Sequence, residues 1–283
     1  MNYLNILNKL SYSQNLSTDE ARYALNHIGD IDDPTDIDAS RGYYFLALTF
    51  GLMAKGLSPD ELYGLTLSIF DKSSRFEGIE IDPLNTIDVS GTGGDKIKTF
   101  NVSSAASVVL SACGVCVPKQ ATLAYTGSCG SADVFSALGI DIFGGQDIDQ
   151  IKQSLDTLGI SAFYTPMYSM YHQNRINFLN VLKKIKLSYL TPWHLVSWIY
   201  SPLDIKHRLY GVFDDKYLLP ISQVFEKLGY NRALVVHGVG GIDEISNIGP
   251  TKFCEYQNGV HKEFVLLPED LGVKTSFKED IMV

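Results

Sequence analysis

The stretch from Ile87 to Ser104 constrains the fold most strongly, because it reads as strand, glycine-rich turn and helix in immediate succession. A short β-branched run enters Gly91-Thr92-Gly93-Gly94, and the small residues from Ser103 to about Cys113 predict a helix. Glycines let the backbone approach a phosphate, and free N–H groups at a helix start attract negative charge. The stretch indicates an anion pocket, although the turn alone fits an ordinary corner capped by Ser103 equally well.

Around this stretch the chain predicts an α/β protein with a small helical domain. Residues 1 to about 80 have only helical patterns, including a capping box at Ser17 and Glu20 and a helix start at Ser58-Pro59. From Thr86 onward, short β-branched runs alternate with helices, which is typical of a mainly parallel sheet flanked by helices. The predicted strands are Thr86–Val89, Val115–Pro118, Ile160–Tyr164, Leu195–Tyr200, Ala233–His237 and Lys252–Tyr256, and the predicted helices between them are Ser103–Cys113, Ala132–Leu138, Asp147–Leu158 and Leu218–Leu228.

The same pattern predicts the domain organisation. Residues 1–80 form the helical domain, joined by about 167–190, which lack the strand pattern. Residues 84–166 and 191–283 form the α/β domain.

Composition narrows the function. The net charge of −9 argues against a nucleic-acid binder held by general electrostatics. Four cysteines in apolar or glycine-rich settings, without metal-ligand pairing, indicate buried free thiols in a reducing compartment. The chain begins without a secretory leader pattern, and no apolar run reaches membrane-spanning length. We therefore expect a cytoplasmic enzyme.

Gly91-Thr92-Gly93-Gly94-Asp95, followed by Thr99-Phe100-Asn101-Val102-Ser103, resembles the phosphoribosyl-diphosphate loop of anthranilate phosphoribosyltransferases. The resemblance continues in family order over most of the chain, through Lys119, Gly130-Ser131-Ala132-Asp133, Arg232–Gly238, Gly241–Ser246 and Leu267–Gly272. It implies the phosphoribosyltransferase fold of the nucleoside-phosphorylase type, transfer of phosphoribosyl to anthranilate in tryptophan biosynthesis, Mg²⁺, and a homodimer formed through the helical domain.

The donor side follows from the glycines and from the resemblance together. The glycines and the N–H groups of Asn101 to Ser104 suit a departing pyrophosphate, and a lysine at position 119 would neutralise phosphate charge. No catalytic residue is assigned, and His237 is interpreted as structural. The expected substrate-binding residues are Gly91, Thr92, Gly93, Gly94, Asp95, Thr99, Asn101, Ser103, Ser104, Lys119 and Thr122.

Asp243 and Glu244 form the second constellation. Adjacent carboxylates after a glycine-rich turn can bind Mg²⁺, which keeps several waters and bridges to phosphate oxygens. From the residues alone, Asp243 fits equally well as the cap of a helix beginning at Glu244. The resemblance implies the metal role, with Ser103 as a further ligand.

The acceptor side departs from the family pattern. The family has Lys-His-Gly-Asn-Arg where this chain has Lys119-Gln120-Ala121-Thr122-Leu123, in which Gln120 and Thr122 can still hydrogen-bond an acceptor. The family's serine-lysine pair is replaced by Gly127-Ser128, and its arginine-containing segment is shortened to Tyr168–Arg175. Family members also continue further beyond Gly272. Besides anthranilate, the sequence therefore leaves open another aromatic or nucleobase-like acceptor, or a non-catalytic paralogue that acts as a binding module.

Overall fold

The computed structural model describes residues 2–28, 39–94, 96–97, 99–123, 129–143, 147–169 and 190–282. The chain separates into two compact units. One comprises Met1–Ser74 with Pro166–Tyr200, and the other comprises Arg75–Thr165 with Ser201–Val283. Most of the predicted 167–190 stretch, residues 170–189, lies outside the described residues.

The first unit is helical. Its described helices are α1 (Tyr3–Ser11), α2 (Thr18–Ile28), α3 (Ala39–Lys55), α4 (Pro59–Asp71) and α8 (Pro192–Val196). The predicted capping box at Ser17 is confirmed, since the Ser17 N–H donates to the Glu20 carboxylate, and the Ser58 N–H donates to Glu61 in the same way. Because Glu61 also accepts from the Leu16 N–H and the Lys55 ammonium, this buried carboxylate ties three segments together.

The second unit is an α/β layer structure. Its strands are β1 (Ile87–Gly91), β2 (Val117–Ala121), β3 (Ile160–Tyr164), β4 (His207–Gly211), β5 (Arg232–Gly238), β6 (Thr251–Gln257) and β7 (Val260–Leu266), and its helices are α5 (Val102–Ala112), α6 (Ser131–Ala137), α7 (Ile148–Leu158) and α9 (Leu218–Lys227). The five-stranded sheet has the order β1-β4-β5-β6-β7, parallel from β1 to β5 and antiparallel from β5 to β7. β2 and β3 form a parallel pair, and a bridge between Thr86 and Cys116 links that pair to β1.

Several sequence-based assignments were wrong, among them the expected burial of the cysteines, since Cys113 and Cys129 are exposed. Leu195–Tyr200 is not a strand, because helix α8 begins at Pro192. Just before it, the Thr191 N–H donates to His194 Nδ1, and the His194 N–H donates to the Thr191 carbonyl. Strands β4 and β7 were missed, because β4 carries a buried arginine and β7 is a largely exposed edge strand with charged residues. No helix begins at Glu244, so the helix-cap interpretation of Asp243 falls away.

Among the described helices, none has the combination of length and apolarity needed to cross a bilayer.

Candidate active site

The site lies where the parallel strands β1 and β4 end. Their last residues, Gly91 and Gly211, are partners in the register, and the glycine-rich turn follows β1 directly. Gly93 and Gly94 adopt φ of 66° and 90°, which L-residues with a side chain rarely adopt. Carboxyl ends of parallel strands are the usual ligand-binding edge of such sheets, so the predicted loop is correctly located for an anion pocket.

Asp243 packs closely against the two strand-end glycines, Gly91 and Gly211. A Cβ built at Gly91 would lie 2.4 Å from Asp243 Oδ2, and one built at Gly211 would lie 1.5 Å from the Asp243 carbonyl oxygen. The Gly93 N–H donates to Asp243 Oδ2 at 2.6 Å, and the residue is only 5% exposed. Asp243 therefore fits here only because Gly91 and Gly211 have no side chains. The sequence analysis did not find the role of Gly211, because only the strand pairing reveals it.

Glu244 and Lys119 complete the charged part of the site. Burial and the neighbouring Asp243 raise the pKa of Glu244 to about 8, against the opposing effects of Lys119 and of the nearby Ser103 backbone. Lys119 is 3% exposed, and its ammonium donates to the Val89 carbonyl at 2.7 Å and to Ser103 Oγ at 3.3 Å. Burial lowers the pKa of Lys119, although Asp88 and the two site carboxylates act in the opposite direction. Six predicted residues thus come together, namely Gly91, Gly93, Ser103, Lys119, Asp243 and Glu244.

Lys119 lies within β2 rather than after it, because the strand covers Val117–Ala121 and not Val115–Pro118 as predicted. Its burial makes an ordinary surface lysine at a strand end the wrong interpretation.

The start of helix α5 differs from expectation. Asn101, not Ser103, occupies the cap position, and it makes no side-chain capping hydrogen bond. The N–H groups of Val102 and Ser104 donate to the carbonyls of Phe100 and Asn101, and the Ser103 backbone lies close to Glu244. Two of the N–H groups that were expected to face a phosphate are therefore already bonded in this structure.

The other predicted donor residues have various surroundings. Thr92 is buried, and its hydroxyl accepts from the Phe213 N–H, which fastens the loop to the residues after β4. Ser104 is buried, with a hydroxyl that has no hydrogen-bond partner. Thr99 is half-buried. The Thr122 N–H donates to Ser131 Oγ. Asp95 lies outside the described residues.

A buried ion pair beneath the strands was not anticipated. Asp88 Oδ2 lies 3.3 Å from Arg208 Nη2 and accepts from Gln120 Nε2 at 2.9 Å. The Arg208 guanidinium also donates to Ser90 Oγ and to the Tyr230 hydroxyl. The sequence signals were a carboxylate inside an apolar strand and an arginine in the missed strand β4.

Asp243 and Glu244 suit a cation whose remaining ligands would be oxygen atoms of a bound substrate or of water. Within the part of the chain that the structure describes, no three His, Cys, Asp or Glu side chains come together as a metal site of their own. Two hard oxygen ligands beside a hydroxyl fit Mg²⁺, which usually keeps waters and binds phosphate oxygens. Burial, and then the neighbouring Asp243, raises the pKa of Glu244, and a bound cation would favour the charged form of this carboxylate.

Known proteins resemble this chain over most of its length. Residues 84–283 match the family model described as "Glycosyl transferase family, a/b domain". An anthranilate phosphoribosyltransferase from Methanosarcina acetivorans is 34% identical over 277 residues, which cover 97% of this chain and 70% of that protein. The chain belongs to the anthranilate phosphoribosyltransferase family. Another member, from Methanothermobacter marburgensis, is 34% identical over 281 residues, covering 96% of this chain and 75% of that protein.

Solved structures of anthranilate phosphoribosyltransferases share the fold. The enzyme from Thermus thermophilus superposes with a TM-score of 0.81 at 25% identity, covering 98% of this chain and 77% of that one. The Saccharomyces cerevisiae enzyme, solved in complex with PRPP and Mg, gives a TM-score of 0.81 at 22% identity, covering 99% and 77%. The predicted family and fold class are confirmed.

The residues expected on the acceptor side differ in their burial. Gln120 is buried and donates to Asp88, and its hydrogen bond to an acceptor stays a prediction. Ala121 is buried and Leu123 is exposed. Gly127, Ser128 and Arg175 lie outside the described residues.

Proposed function

We propose that this protein is a pentosyltransferase that transfers phosphoribosyl from phosphoribosyl diphosphate to an aromatic amine, with anthranilate as the acceptor that its family indicates. The observation that carries the proposal is the convergence of Gly93, Ser103 and Lys119 with Asp243 and Glu244 at the ends of β1 and β4. These are the groups that a pyrophosphate leaving group and its cation require.

In this reaction the bond between the anomeric carbon and pyrophosphate breaks while positive charge develops on the ribose ring. The glycine-rich turn gives the backbone an open approach to the pyrophosphate, because no described atom lies within 4 Å of a Cβ built at Gly93. Lys119, held by Val89 and Ser103, places a buried ammonium where negative charge accumulates. Interactions fixed before the reaction stabilise that charge without reorganisation.

Asp243 and Glu244, with the Ser103 hydroxyl, would hold Mg²⁺. When bound, this ion offsets the charge of the diphosphate and of the carboxylates. The Gly93 N–H orients Asp243, and Glu244 lies close to Asp243 and to the Ser103 backbone. The donor, Mg²⁺ and the aromatic acceptor are thus proposed ligands of the second unit.

Pyrophosphate release tests the transfer directly. We expect release that requires phosphoribosyl diphosphate, Mg²⁺ and an aromatic amine together, and that falls at least about a hundredfold in Lys119→Met, because removal of one preorganised electrostatic group typically costs this much. Binding of the donor without acceptor-dependent release would favour a non-catalytic binding module.

The altered acceptor segment favours a second candidate, the same transfer to a less acidic aromatic acceptor. The inward-pointing Gln120 and the buried Ala121 offer no charge to an anthranilate carboxylate. Loss of one charge-assisted hydrogen bond lowers affinity about ten- to a hundredfold.

We also propose a homodimer formed through the helical unit. Leu4, Tyr43 and Phe50 are exposed, and the last two lie seven residues apart on α3, on one face. Light scattering should give a dimer that Phe50→Glu dissociates, whereas a wild-type monomer at micromolar concentration would contradict the proposal. The cytoplasmic location and the lack of nucleic-acid binding stay predictions.

A further inference from the structure

Two segments of the site hold each other through their backbones. We call Gly91–Ile97 the donor loop and Gly238–Glu244 the carboxylate turn. Besides the bond from the Gly93 N–H to Asp243, the Lys96 N–H donates to the Gly241 carbonyl at 3.3 Å. The donor loop is therefore attached to the carboxylate turn at both of its ends.

Ile97 packs on the carboxylate turn next to the second of these attachments. It is 4% exposed, and a Cβ built at Gly240 would lie 2.7 Å from its Cδ1 atom. A Cβ at Gly241 would lie 2.9 Å from Lys96 Cδ. Gly240 and Gly241 also adopt φ of 84° and 77°. The turn thus needs glycine twice, for its backbone conformation and for the close approach of the donor loop.

We propose that Ile97 is a positioning residue for donor binding. Its contact with Gly240 holds the donor loop against the carboxylate turn, so that Gly93 and the two carboxylates face the same donor. Neither Ile97 nor Gly240 is expected to touch the donor. The inference rests on the proposed function, and its physical reason is preorganisation: a loop already held in place loses less conformational freedom when the donor binds.

A double-mutant cycle isolates this contact. Gly240→Ala adds a methyl group that overlaps Ile97 Cδ1, whereas Ile97→Val removes that atom. In the double variant the nearest Ile97 atom would be Cγ1, at the ordinary contact distance of 3.8 Å. Gly229→Ala is the matched control, because its φ is 78° and no described atom lies within 4 Å of a Cβ built there. It carries the same backbone strain without the contact.

Calorimetry with phosphoribosyl diphosphate and Mg²⁺ measures the effect. We expect Gly240→Ala to raise the donor Kd about tenfold above that of Gly229→Ala, which corresponds to a small steric displacement of the loop. Adding Ile97→Val should bring the Kd back to within about threefold of the control. Equal Kd values in Gly240→Ala and Gly229→Ala, or a double variant worse than Gly240→Ala, would overturn the proposal.

Hydrogen exchange of the Gly93 amide gives a readout that needs no donor. Exchange should be faster in Gly240→Ala than in Gly229→Ala and should slow again in the double variant, because the loop loses and regains its support. If the wild type binds no donor, the proposed function fails while this exchange pattern still establishes the loop contact. If donor binding is intact but exchange is the same in all variants, the positioning role is wrong.

Discussion

Asp243 shows how single residues shape this site. Its carboxylate and its carbonyl oxygen fill the spaces left by the missing side chains of Gly91 and Gly211, and the Gly93 N–H fixes one carboxylate oxygen. A side chain at either strand-end glycine would displace it. The orientation of this carboxylate is consequently set by the backbone before any ligand arrives.

The raised pKa of Glu244 gives a pH dependence. Between its ordinary value of 4.5 and about 8, the folded metal-free protein keeps a proton that the unfolded chain has released. Stability therefore falls as pH rises through this window. In the presence of a chelator, we expect the urea midpoint to decline more from about pH 5 to 8 in the wild type than in Glu244→Gln. Parallel profiles would show that another group titrates.

The sequence could predict the candidate donor-side residues, but it could not predict the residues that pack against them and hold them in place. Gly93, Ser103, Lys119 and the two carboxylates stand in short local patterns, so their chemistry is readable from the chain. The role of Gly211 depends on its pairing with Gly91, which lies on a strand far away in the sequence. Such a contact leaves no mark on neighbouring residues.

At the scale of elements, β1, β2 and β4 share a buried polar layer opposite the face that carries Lys119. Asp88, Arg208 and Gln120 each come from a different strand, and their contacts link β1 to both of its neighbours. Charge inside a sheet disguises a strand in a hydrophobicity pattern, which explains why β4 was missed while the apolar β3 was found with its correct ends.

Breaking the buried ion pair between Asp88 and Arg208 should destabilise the second unit strongly. We expect Asp88→Ala to lower the free energy of unfolding by about 3–5 kcal/mol, because the Arg208 guanidinium stays buried without its carboxylate. Replacing both partners, as Asp88→Leu with Arg208→Met, should recover most of that loss. Urea denaturation measures both, and a double variant as unstable as Asp88→Ala would contradict this account.

At the scale of the molecule, every described donor-side residue belongs to the α/β unit. The helical unit contributes none of them. By the resemblance drawn from the sequence, the chain keeps the family's donor loop and departs from its acceptor pattern, so we expect donor binding and acceptor choice to be separable in experiment. The sequence could predict this division because the two sets of residues form different motifs.

The acceptor prediction follows from that division. If the second candidate, a less acidic acceptor, is right, the specificity constant for anthranilate should lie below about 10⁴ M⁻¹s⁻¹, and anthranilamide, which lacks the carboxylate charge, should be consumed faster. Loss of anthranilate fluorescence measures the first value, and pyrophosphate release measures both. Efficient anthranilate use above that constant, with anthranilamide the poorer substrate, would establish anthranilate as the acceptor.

The most direct test of the donor site is calorimetric titration of the wild type with phosphoribosyl diphosphate, with and without Mg²⁺. We predict binding that requires Mg²⁺, is weakened in the double variant Asp243→Asn with Glu244→Gln, and is lost in Gly93→Val but kept in Gly78→Val. Gly78 is the matched control because it also has positive φ and no described atom within 4 Å of a built Cβ. Absence of Mg²⁺-dependent binding in the folded wild type would contradict the account.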